Sequence, residues 1–192
     1  IAAFDYKRLS EKHPTKYNLL FVAHREEILK QASQTFKSVM EDANFGELWV
    51  GNHAPSVEGN LNHLFISVQT FNSQKNYFKE NLPTNFYDYI VIDEAHHSTA
   101  TSYRELFDLF TPQIWLGLTA TSERMDGVSI LPDFSNRIAA EIRLPEALNL
   151  LLLCPFQYFC ITDNTIDLSD ISCPGGKYDI NQLTDKLCDE SR

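Results

Sequence analysis

Tyr89-Ile90-Val91-Ile92-Asp93-Glu94-Ala95-His96-His97 is the stretch on which the reading of this chain turns. An apolar run ends in two adjacent carboxylates, followed by a small residue and two histidines. Such a run, short, continuous and closed by polar residues, is the pattern of a strand buried on both faces. The strand is predicted over Tyr87 to Ile92, and its carboxyl end carries the charge.

The flanking segments repeat this theme. Upstream, Pro83 is a breaker, Phe71 to Glu80 reads as a short helix, and Leu64 to Val68 and Leu48 to Val50 read as strands. Tyr17 to Ala23 is a further strand. Arg25 to Met40 then places Ile28, Leu29, Ala32, Phe36, Val39 and Met40 mostly at helical spacing. Downstream, Thr99-Ala100-Thr101-Ser102 offers a helix start, Tyr103, Leu106, Phe107 and Phe110 follow the helical period, and Thr111-Pro112 ends it. Ile114 to Leu118 is the next strand. Strands alternating with helices predict an α/β fold with a mainly parallel sheet, helices on both faces, and ligands at the carboxyl ends of the strands.

After Thr121 the pattern changes. A loop through Ser122 to Pro132 precedes a strand-like Arg137 to Leu144, a helix from Pro145 to Leu153 and a strand-like Phe156 to Ile161. The rest is polar and acidic, so a boundary is expected near residue 152. Residues 153–192 read as a linker or the start of a second domain.

Composition narrows the function classes. The 192 residues are 43% hydrophobic, which suits an ordinary globular domain, and no basic flank followed by a long apolar run marks a signal peptide or a membrane span. A formal charge of -10 argues against binding nucleic acid through a general basic face, though not against a local track. Cys154, Cys160, Cys173 and Cys188 lack the close C-x-x-C pairing of a zinc or redox site. Free thiols and a cytoplasmic location are expected. His13, His53, His63 and His97 have no metal-like spacing, and the aromatic residues follow element faces as core residues do.

The chemistry lies at two strand ends. A carboxylate at the end of a parallel strand can hold Mg2+ directly or through water, and its neighbour can orient or deprotonate a water attacking a phosphate. Asp93 and Glu94 are suited to these two roles; a solvated acidic strand end is the bland alternative. Leu116-Gly117-Leu118-Thr119-Ala120-Thr121 is a second apolar strand, ending in small hydroxyl residues, one helix and one strand later.

The D-E-A-H element followed at this distance by T-A-T resembles the motif II and motif III pair of superfamily 2 helicases and translocases. The resemblance implies a RecA-like, P-loop NTPase-like first motor domain using ATP and Mg2+. It gives Asp93 the metal, Glu94 the role of catalytic base, and His96 the link to motif III. Thr119, Ala120 and Thr121 would couple hydrolysis to movement. Phe21-Val22-Ala23-His24-Arg25 resembles motif Ia, with His24 and Arg25 at a helix N-terminus facing a phosphate of the tracked strand. Ser67-Val68-Gln69-Thr70-Phe71 resembles the later motif whose Gln69 and Thr70 touch the nucleic-acid backbone.

Thr119 to Gly127, with Ser122 where proline is usual, is close to the T-A-T-P-E-R-M-D-G of bacterial helicases related to the motor subunits of type III restriction enzymes. The implied partners are nucleic acid, DNA rather than RNA, and a second motor domain, with no membrane. One departure is plain: no G-x-x-x-x-G-K-[ST] loop occurs in the sequence, and Gly176-Lys177 fails because Tyr178 follows it. Ile1-Ala2-Ala3-Phe4 resembles the helix that follows that loop. The chain is therefore expected to be part of an ATPase and inactive alone. A motor degenerated into a binding or scaffold module, and a different P-loop ATPase with a chance D-E-A-H, remain as alternatives.

Overall fold

The structure is a computed structural model that describes residues 1–13, 17–51, 55, 60–97, 101–120, 129–157, 171–173 and 178–187. It divides into two compact units, Ile1–Ala139 and Ala140–Arg192.

The first unit is built on five parallel strands, β1 (Leu19–Ala23), β2 (Glu47–Trp49), β3 (His63–Ser67), β4 (Tyr89–Asp93) and β5 (Ile114–Leu118), in the order β2-β3-β1-β4-β5. Its helices are α1 (Ala2–Lys12), α2 (Glu26–Met40), α3 (Val68–Ser73), α4 (Lys75–Asn81) and α5 (Thr101–Leu109). Each central strand alternates its side chains between two cores, as the two-residue period of a strand demands. From β1 and β4, Leu20, Val22, Ile90 and Ile92 pack with Phe71, Phe78, Leu106 and Phe110 on the α3–α5 side. Leu19, Phe21, Tyr89 and Val91 pack with Tyr6, Leu29 and Phe36 on the α1–α2 side. Burial on both faces is why these strands read as unbroken apolar runs.

Most of the described aromatic residues of the first unit serve the core, whereas Phe4 and Tyr77 are exposed. Phe36 stacks on Phe45 with ring centroids 5.8 Å apart, and Phe45 stacks on His63 at 4.3 Å. Among the described residues no helix is long and apolar enough to cross a membrane, and no group of three metal-ligating side chains occurs.

Three expectations need correction. The helix expected from Phe71 to Glu80 begins at Val68 and breaks at Gln74 into α3 and α4. Ser67 starts it early, because its side chain accepts from the Thr70 backbone N–H. The strand-like Arg137 to Leu144 forms no strand. Ile138 and Ile142 are exposed, and Arg143 pairs locally with Glu141 at 2.7 Å, so this stretch has no buried face to place on a sheet. The following helix, α6, covers only Leu144–Asn149, and the left-handed Leu151, at φ +56°, lies just beyond it. The second unit also holds α7 (Ile180–Leu187). Of the strand expected over Phe156 to Ile161, only the first two residues are described, and they are not in a strand.

Candidate active site and nucleic-acid interface

Parallel pairing gathers the carboxyl ends of the strands on one edge. Ala23 lies opposite Ser67, Val22 opposite Ile92, and Asp93 opposite Leu118. Consequently the residues just after each strand, His24 and Arg25, Val68 and Gln69, Glu94, and Thr119, emerge along one rim. This is the rim on which open parallel sheets place ligands.

Asp93 is the last residue of β4 and is half-buried. Its Oδ1 accepts from the Glu94 backbone N–H at 2.9 Å. Loss of hydration raises the Asp93 carboxyl above the ordinary carboxylate range, the Glu94 hydrogen bond opposes the rise, and the Glu94 charge adds to it. A carboxylate kept partly dehydrated at a strand end suits Mg2+, a hard cation bound through one or two carboxylates together with substrate phosphates. The donor set here therefore fits Mg2+ with a nucleotide and not a cage of protein ligands.

Glu94 adopts the left-handed conformation, with φ +52°, which non-glycine residues seldom occupy. The turn lifts the chain out of the sheet, and a single 3-10 turn, Ala95–His97, follows. His96 is thereby brought back across the strand ends. Its Nδ1 lies 3.0 Å from the Thr119 hydroxyl and 3.2 Å from Glu94 Oε2. The ring nitrogen thus joins the second carboxylate of β4 to the first residue after β5. Ala120 is exposed in the bend that follows, and Thr121 lies outside the described residues.

On the neighbouring strands, His24 and Arg25 are exposed, Arg25 standing at the N-cap of α2. Glu26 and Glu27 occupy the first turn, where they complement the helix dipole, and Glu26 pairs with Lys30 at 2.7 Å. Gln69 is exposed and its Nε2 lies 2.8 Å from His24 Nδ1, so two predicted contact residues form one polar pair.

Thr70 is placed otherwise. It is 3% exposed, and its hydroxyl accepts from the Gly51 backbone N–H at 2.8 Å and from the Ser67 hydroxyl at 2.7 Å. Thr70, expected to touch a nucleic-acid backbone, uses its hydroxyl to fasten the segment after β2 to the start of α3. The Ser67-x-x-Thr70 spacing, a cap followed three residues later by a polar side chain, carried that signal.

Sequence reading also passed over Tyr103, treated only as a core position of α5. Its hydroxyl is buried without a hydrogen-bond partner. Burial pushes the phenol up to about 12, and the nearby Asp93 and Glu94 charges act in the same direction.

Comparison with known proteins bears on the family and the fold. Residues 1–124 match the family described as "Type III restriction enzyme, res subunit". The chain is 28% identical over 176 residues to the "Putative ATP-dependent helicase IRC3" of Saccharomyces cerevisiae, covering 88% of this chain and 24% of that protein. It is 27% identical over 177 residues to the "Type I restriction enzyme EcoAI endonuclease subunit" of Escherichia coli, covering 88% of this chain and 21% of that one. Thus it spans about a quarter of the length of these curated relatives. A similar fold occurs in the Type ISP restriction-modification enzyme LlaGI, solved as a nuclease-deletion mutant in complex with a DNA substrate mimic. The TM-score is 0.60 at 15% identity, over 79% of this chain and 17% of that one. With a match over residues 1–124 the chain belongs to the family described as "Type III restriction enzyme, res subunit", and its five-stranded parallel sheet with helices on both faces is a RecA-like α/β fold.

Proposed function

We propose that this chain is the first motor domain of an ATP-dependent helicase or translocase that acts on DNA. The observation that carries the reading is the 3.0 Å approach of His96 Nδ1 to the Thr119 hydroxyl. It ties the carboxylate-bearing end of β4 to the end of β5, so a change at one is felt at the other.

In this reading Asp93 holds Mg2+ and Glu94 takes the proton from the water that attacks the γ-phosphate. Bound Mg2+ supplies neutralisation of charge on the β- and γ-phosphate oxygens. Glu94 is well placed for proton transfer because its left-handed backbone carries it clear of the sheet, while its Oε2 keeps a partner in His96. His96 and Thr119, with Ala120 and Thr121, relay the state of the nucleotide. The His24–Gln69 pair and Arg25 face a backbone phosphate, to which Arg25 brings the charge.

The RecA-like domain extends over residues 1–152, and residues 153–192 lead toward a second motor domain. No G-x-x-x-x-G-K-[ST] loop to cradle the β- and γ-phosphates occurs among these residues. This chain alone therefore hydrolyses ATP negligibly.

The test is ATP turnover, with and without single-stranded and duplex DNA, in a polypeptide extended to complete both motor domains, beside its Glu94→Gln variant. DNA-stimulated turnover that the substitution abolishes is the expected result. A well-folded extended polypeptide with no turnover would replace this reading with a non-hydrolysing binding or scaffold module.

A further inference from the structure

Beyond the two motifs, a third segment meets them. After β5 the chain returns as a 3-10 turn, Leu131–Phe134, whose Phe134 ring packs against the α3–α5 core. A Cβ placed on Gly117 would lie 2.7 Å from Phe134 Cζ, 2.9 Å from Cε1 and 3.0 Å from the Cβ of Ala95. Gly117 is thus glycine because of this approach: the ring sits directly on the backbone of β5. Ala95, the third body at the contact, is fully buried between Glu94 and His96. Phe134 and Ala95 therefore both crowd the backbone of Gly117, so the ring, the strand that delivers Thr119 and the turn that delivers His96 converge on one point.

The segment is fastened from outside by α5. Arg104 donates from Nη1 and Nη2 to Asp133 Oδ1 and Oδ2, both at 2.8 Å, a bidentate fork whose geometry fixes orientation as well as distance. The same guanidinium lies 5.6 Å from the centroid of the Phe107 ring, and Phe107 meets Phe134 edge-on at 6.2 Å. One helix residue thereby holds both the acid beside the wedge and the ring behind it.

We propose that Phe134, seated on Gly117 and held by the Arg104–Asp133 fork, is a wedge that sets the spacing between the ends of β4 and β5 and so maintains the His96–Thr119 contact. Gly117, Phe134 and Arg104 are positioning residues. They act through Ala95 and the β5 backbone, whose joint placement decides whether the imidazole reaches the hydroxyl.

The structural half of the test is made on this chain, by NMR of the His96 ring nitrogens, with Thr119→Val defining the signals of a broken contact. Gly117→Ala is expected to move the His96 signals to the Thr119→Val positions, and Phe134→Leu added to it is expected to return them. Rescue by removing part of a packed ring separates positioning from general destabilisation, which a second core loss would only deepen. Arg104→Met, at a half-exposed position, is expected to shift the signals part-way in the same direction and decides the matter if Gly117→Ala does not fold. Unshifted His96 signals in folded Gly117→Ala, absence of rescue, or unshifted signals in Arg104→Met would each overturn the proposal.

The functional half rests on the motor reading above. In the extended polypeptide Gly117→Ala is expected to lower DNA-stimulated kcat roughly tenfold while KM for ATP stays within about threefold, a loss typical of broken coupling between sites. Absence of stimulated turnover in the wild type would defeat the motor reading, whereas the ring-nitrogen result would still decide the wedge.

Discussion

His96 Nδ1 lies 3.0 Å from the Thr119 hydroxyl across 23 residues of sequence. This contact exists because Asp93 pairs with Leu118 in the β4–β5 register, which sets the two following segments side by side. If it carries information between nucleotide and track, breaking it must cost coupling more than chemistry. In the extended polypeptide, Thr119→Val is expected to reduce DNA stimulation of turnover. A double-mutant cycle with His96→Ala is expected to give an interaction of ~1 kcal/mol, the usual scale for one hydrogen bond. Strictly additive effects would show that the contact carries no coupling.

Glu94 has the exposed carboxylate and the left-handed backbone. Glu94→Gln keeps shape and hydrogen-bonding capacity but removes the base. Turnover is expected to fall ~100-fold or more while ATP affinity is preserved, as for loss of a general base. Equal losses in binding and turnover, read by nucleotide titration beside steady-state kinetics, would assign Glu94 a binding role instead.

The Asp93 carboxyl is raised by desolvation above its ordinary value of 3.8. A group whose folded-state value is raised contributes stability that is complete below the unfolded value and is lost as pH rises through the folded one. Metal-free Asp93→Asn is therefore expected to be more stable than wild type at pH 7, with the difference vanishing below about pH 4. Solvent screening holds the gain to ~1 kcal/mol or less, a rise of roughly 2–4 °C in Tm. In the extended polypeptide, Mg2+ with a nucleotide should stabilise the wild type only. Thermal melts across pH, with chelator and then with Mg2+, check both signs.

Thr70 and Ser67 act on stability. Thr70→Val leaves the Gly51 N–H without its acceptor, and Ser67→Ala removes the cap of α3. Each is expected to cost ~1–2 kcal/mol in urea unfolding. A neutral Thr70→Val would return its hydroxyl to the list of candidate ligands.

The rim residues separate by charge. Arg25→Ala is expected to weaken DNA binding and to lower the slope of log affinity against log salt by ~1, the loss of one phosphate contact. Gln69→Ala should weaken binding without altering that slope. An unchanged slope in Arg25→Ala would leave Arg25 as a surface charge.

What could be read from sequence alone was local. The runs Tyr17 to Ala23 and Tyr87 to Ile92 were legible as buried strands, formed as Leu19–Ala23 and Tyr89–Asp93, Arg25 to Met40 as a helix, formed as Glu26–Met40, and Asp93-Glu94 as carboxylates at a strand end, because each pattern depends on neighbours within a few residues. Where local signals competed, the reading slipped. The Ser67 cap moved the start of α3, and the alternation of Arg137 to Leu144 had no buried face to serve.

Tertiary structure decided which distant groups meet. His24 reaches Gln69 across 45 residues, the Thr70 hydroxyl accepts from Gly51, and Phe134 rests on Gly117. None of these follows from periodicity. Each depends on strand order and on register to the residue, quantities fixed only when two cores on opposite faces of one sheet are packed at the same time.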